Sequence, residues 1–139
     1  MKRNLYVKSL LIALALCVST FVSAAPRING IWTGNASKVT TSSCNVRVPI
    51  VLTINQCGVS GNLFNGTVKV GSTTIKIVGK INFDNSFRVT GAAGTNTVTM
   101  IGQYTPSRLQ INELLFATTA TTNILNETYD TITLSQLKR

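Results

Sequence analysis

The sequence contains no histidine, and its 139 residues carry only four carboxylates, three cysteines and one tryptophan. Without imidazole, no Ser-His-Asp or Cys-His nucleophile, no histidine-bearing zinc site and no imidazole proton shuttle can be assembled. The acids Asp84, Glu113, Glu127 and Asp130 are scattered and show no pair with the separation a glycosidase requires. These absences predict a protein that is not an enzyme and that carries no cofactor and no metal. The length predicts one modest domain.

What is present begins with an address. Lys2, Arg3 and Lys8 precede an apolar run from Leu10 to Val18, and Val22 and Ala24 occupy the small positions before a cut. This is the layout of a secretory signal peptide over residues 1–24, and its apolar run is shorter than the roughly 20 residues a membrane-spanning helix needs. Residues 25–139 are then the single mature domain, exported to the periplasm or beyond, with no transmembrane segment. Three of the 13 cations leave with the signal, so ten remain against four acids, a net charge of about +6.

From Asn29 onward, apolar and polar residues alternate in one segment after another. The longest run is Val46, Val48, Ile50, Leu52 and Ile54, and shorter ones follow at Ile75, Ile77 and Ile81, at Phe87 and Val89, and at Leu109 and Ile111. Period-2 alternation rich in Val, Ile and Thr predicts strands. Turn residues fall between the runs at Gly58, Gly71-Ser72, Asp84-Asn85, Gly91 to Gly94 and Thr105-Pro106-Ser107. About eight strands result, near 31–40, 46–55, 59–70, 73–83, 86–91, 96–104, 108–117 and 128–137. The third is interrupted at Asn65-Gly66 by a bulge or an extra hairpin. The seventh needs a bulge at Asn112 or Glu113 to turn Leu114 and Phe116 inward, and the polar tract 118–126 reads as a mobile loop.

Short strands joined by short turns make an all-β antiparallel meander. Eight of them remove their unpaired edges most economically by closing into a small barrel, with a two-sheet sandwich as the alternative. A transmembrane barrel is disfavoured: the aromatics mark no two girdles, and the outward phase carries Lys69, Lys76, Lys80 and Arg88.

Gly30-Ile31-Trp32 opens the first of these strands. That placement resembles the calycin superfamily of lipocalins, avidins and small bacterial metalloprotease inhibitors, and implies that Trp32 plugs one end of a barrel. The secreted inhibitors are closest in layout, since Cys44-Asn45-Val46-Arg47-Val48 opens the second strand with alternating apolar and basic residues as theirs does. The resemblance implies that residues 25–29 would enter a protease cleft, although Ala25-Pro26-Arg27-Ile28-Asn29 does not match the segment those inhibitors use. Avidin-type ligand residues have no counterparts here.

Removal of the signal peptide leaves Cys44 and Cys57, an even number in an exported chain, which favours a disulfide. Geometry conflicts with the pairing. A straight strand over 45–55 would hold its ends roughly 33 Å apart, whereas a disulfide needs Cα atoms within about 7 Å. Either the chain folds back near Pro49 or the thiols do not pair. A catalytic cysteine is disfavoured because no histidine is available to activate it.

The cations share one phase. Lys69, Lys76 and Arg88 each lie between apolar neighbours, and with Arg47 and Lys80 they form the candidate binding set on the outward face. A four-residue loop at 71–74 would oppose Lys69 and Lys76 directly and favour a bound anion, while a two-residue loop would pair Lys69 with Thr74 and remove the argument. Solvated cations that protect strands from aggregating are the simpler reading, and acidic polymers or anionic surfaces are the partners a basic patch would attract. Nucleic acid would call for interleaved exposed aromatics, which the sequence does not offer. The functional expectation is a non-enzymatic, exported barrel that binds a small ligand or a protein. The alternative is a structural or adhesive protein that works through its outer face or by self-assembly. An interior left partly empty would favour the first, and a filled one would leave only the outer surface to act.

Overall fold

The period-2 runs become β1 (Gly30–Lys38), β2 (Val46–Cys57), β3 (Leu63–Val70), β4 (Thr73–Ile81), β5 (Ser86–Ala93), β6 (Asn96–Thr105), β7 (Arg108–Ala120), β8 (Asn123–Thr128) and β9 (Ile132–Gln136). The structure is a computed structural model that describes residues 24–38, 42–43, 45–120, 123–128 and 132–137. The expected signal peptide, Ala24 apart, therefore lies outside the described residues, as do Cys44, Tyr129 and Asp130.

Strands β1 to β7 pair antiparallel in sequence order, and β9 pairs with both β7 and β1, so the sheet closes on itself. β8 and β9 succeed one another along β7, opposite residues 115–120 and 108–111, and together form the eighth stave. The protein is an all-β, eight-stranded antiparallel meander closed into a barrel, and the sandwich alternative is not formed. The tract 118–126 is corrected: β7 runs on to Ala120 and β8 begins at Asn123, so its described residues extend the sheet instead of forming one long loop.

Alternation sorts the residues between inside and outside. Every buried side chain among the described residues is apolar, including Trp32, Leu52, Ile75, Met100, Leu109 and Leu134. The bulge falls at Asn112: Ile101 faces Glu113 while Gly102 faces Ile111, and the extra residue turns Leu114 and Phe116 inward as expected. The interruption expected at Asn65-Gly66 does not occur. Gly66 pairs with Ile54 on one side and Ile77 on the other, and a Cβ there would collide with the Thr53 carbonyl.

Tight curvature explains other inward glycines. Gly79 lies opposite Phe64 and Gly102 opposite Phe87, and in both places the aromatic ring fills the space a Cβ would need. Such glycines let a strand bend sharply, and the ring laid over each covers backbone that would otherwise be left bare. A small barrel can thus close around large side chains.

Cys57 is a free, exposed thiol, and its expected partner Cys44 lies outside the described residues. β2 runs unbroken for 12 residues with Pro49 inside it, opposite Asn35, so the chain does not fold back there. At about 3.3 Å per residue such a strand is roughly 36 Å long, and Cys57 stands at its far end.

Candidate functional site

One end of the barrel is sealed by its own N-terminal segment. Ile28 is fully buried, and the Trp32 indole Nε1 donates to the Ile28 carbonyl at 2.9 Å. The Trp32 ring meets Tyr104 edge to face, with centroids 6.3 Å apart. Trp32 is thus buried beneath the segment that carries Ile28. Gln56 holds the segment in place. Its Oε1 accepts from the backbone amides of Ile28 and Asn29 at 2.7 and 3.2 Å, and its Nε2 donates to the carbonyls of Pro26 and Gly61 at 2.7 and 2.8 Å. Both donors and both acceptor sites of the amide are used. Sequence reasoning missed Gln56, because a polar residue near a strand end carries no signal of what it will bind. Of residues 25–29, the segment an inhibitor would insert into a protease, Pro26, Ile28 and Asn29 are here hydrogen-bonded to Gln56 of the barrel.

The outward cations separate into groups. The turn between β3 and β4 has two residues, Gly71-Ser72, with Gly71 at φ 60°, as a type II′ hairpin requires at its first position. Lys69 therefore faces Thr74 and Lys76 faces Thr67, and the direct opposition of Lys69 and Lys76 does not arise. A different opposition does. Lys80 of β4 lies directly across from Arg88 of β5, and both are exposed. Arg47 pairs with Ser37 near the opposite end of the barrel, away from this pair.

Around Lys80 and Arg88 the outer wall is apolar. Leu63 is 48% exposed and Val78 61%, and with Cys57, Gly79, Lys80, Arg88 and Thr90 they line a depression of about 500 Å³. A second depression of about 460 Å³ adjoins it, shares Val78 and Thr90, and runs past Ala92 to Lys76. The two form one trough along β4 and β5, with Lys80 and Arg88 at one end and Lys76 at the other. Of the five basic candidates, Lys76, Lys80 and Arg88 meet here; Lys69 stands one strand aside. Leu63 was not singled out from the sequence, nor was Val78, although Val78 breaks the alternation between Lys76 and Lys80 and was in that respect visible.

The acids lie elsewhere. Asp84 closes the β4–β5 turn: its Oδ1 accepts from the Ser86 hydroxyl at 2.6 Å and from the Ser86 amide at 3.0 Å. These bonds, the hydroxyl's first, hold the Asp84 carboxyl below its ordinary value. Glu113 shares a row with the cations but stands two strands beyond Arg88, roughly 10 Å at about 4.8 Å per strand. No helix among the described residues is long and apolar enough to cross a membrane. No protein-family model matches the chain, and no curated protein is found similar to it; its architecture is an eight-stranded antiparallel closed barrel, consistent with a calycin-like small barrel.

Proposed function

We propose that the protein is an exported, non-enzymatic binding protein whose working surface is the outer wall of the barrel and not its interior. The observation that supports this reading is the apolar interior, in which every buried side chain among the described residues is hydrophobic. The few polar groups that orient a ligand in most small-molecule sites are absent from the buried described side chains and lie on the outer wall. Export rests on the layout of residues 1–24. Membership of the calycin group rests on Gly30-Ile31-Trp32 together with the closed meander.

The inhibitor version is the less favoured form, since Gln56 ties down the segment it would need. Titration with 8-anilinonaphthalene-1-sulfonate, a dye that brightens on apolar surface, tests the main reading. Val78→Asp on the outer wall should reduce the brightening at least tenfold, while Val68→Ile, which tightens the interior, should leave it unchanged. The reverse pattern would place the binding surface inside.

A further inference from the structure

We infer that the trough over β4 and β5 is a binding site for a free single-chain anionic amphiphile, its acidic head held between Lys80 and Arg88 and its acyl chain laid over Leu63 and Val78. This rests on the outer-wall reading and adds the ligand class.

The head site follows from the pairing. Like charges directly opposed across two strands destabilise a sheet mildly, and Lys80 faces Arg88. An acidic group placed between them turns that repulsion into two charge-assisted contacts. Glu113, on the same row, stands two strands beyond Arg88 with Ile101 between them.

The tail site follows from the floor. Leu63 is 48% exposed and Val78 61%, and they lie diagonally on adjacent strands, Leu63 across from Lys80 and Val78 across from Asn65, in a depression of about 500 Å³, which lies within the roughly 300–1,000 Å³ usual for small-molecule sites. β3, β4 and β5 are each paired on both sides, so a peptide strand would find no free backbone edge to extend. A second copy docked face to face along the trough would set cations against cations, Lys80 and Arg88 meeting either their duplicates or the copy's Lys76, an arrangement charge complementarity opposes. An acyl chain needs no backbone partners and brings the opposite charge.

Calorimetric titration of the protein with monomeric dodecanoate tests the inference. Saturable one-to-one binding is expected, with dodecylammonium at least tenfold weaker. The Lys80→Ala/Arg88→Ala double variant should bind dodecanoate at least fivefold more weakly, and Val78→Asp should abolish binding. All three positions face solvent, and a melting curve for each variant checks that the barrel is intact; should Val78→Asp fail to fold, Val78→Ser with Leu63→Ser replaces it and is expected to weaken binding at least tenfold. Equal affinity for the two amphiphiles, or a double variant that binds as well as the parent, would overturn the inference. So would absence of dodecanoate binding while the dye still reports on Val78, which would leave the outer-wall reading standing. Association only with anionic phospholipid vesicles would point to a membrane surface, and a dimer that buries Val78 would point to a second copy; either result also overturns it.

Discussion

Along β4 the inward positions carry Ile75, Ile77, Gly79 and Ile81, whereas the outward ones carry Thr74, Lys76, Val78 and Lys80. The inner face is uniform in chemistry, and its departures from bulk at Gly79 and at Gly102 of β6 are matched by facing rings. The outer face is mixed, and among the described residues nothing matches its departures from polarity. An apolar residue between two lysines and a lysine facing an arginine are local choices that packing does not require. The difference separates residues that hold the barrel together from residues free to meet something else.

Disturbing the inner face should cost most. Leu52 is fully buried, and Leu52→Ala is expected to destabilise the barrel by about 3 kcal/mol, from lost transfer energy plus a residual cavity; urea unfolding monitored by Trp32 emission measures it. Next comes the seal at the barrel end. Gln56→Ala removes an amide that makes four hydrogen bonds and should cost about 2 kcal/mol at roughly 0.5–1.5 kcal/mol per net bond, less what water restores. Amide exchange should quicken at Ile28 and Asn29 before it does in β3 to β6.

The outer face should respond in the opposite direction. Lys80→Thr removes one of two opposed cations, and a gain of a few tenths of a kcal/mol is expected from the relieved repulsion, with the melting temperature as the measure. A loss of stability would mean that Lys80 holds the sheet together, and the contrast between the faces would fail. The smallest effect concerns Asp84. Its carboxyl is held below the ordinary value by Ser86, so its contribution is present above the unfolded-state pKa and fades as pH falls through the lower folded value. Asp84→Asn should leave the melting temperature less dependent on pH across that acidic window than in the parent.

Much of this was legible in advance because inward positions must be apolar and must alternate. That rule alone yields the strands, their count as staves, the meander and the bulge beside Glu113. It also marks Lys76, Lys80 and Arg88 as outward. Pairing was harder to read, since the register of β3 on β4 depends on whether Gly71 begins a two-residue or a four-residue turn. With two residues, Lys69 falls opposite Thr74 and the important opposition moves to Lys80 and Arg88. Gln56 was hidden because its partners are main-chain atoms of a distant segment, which leave no trace in side-chain pattern. The tract 118–126 was misread because polar composition suggests a loop, although Thr is well suited to strands.

The measurement that bears most directly on the claim of a working outer wall is methyl NMR of the protein with dodecanoate. Intermolecular NOEs from the acyl chain to the methyl groups of Leu63 and Val78, with none to Leu52, Met100 or Leu109, are the result expected. NOEs to Leu52, Met100 and Leu109 instead would place the ligand inside the barrel and contradict the account.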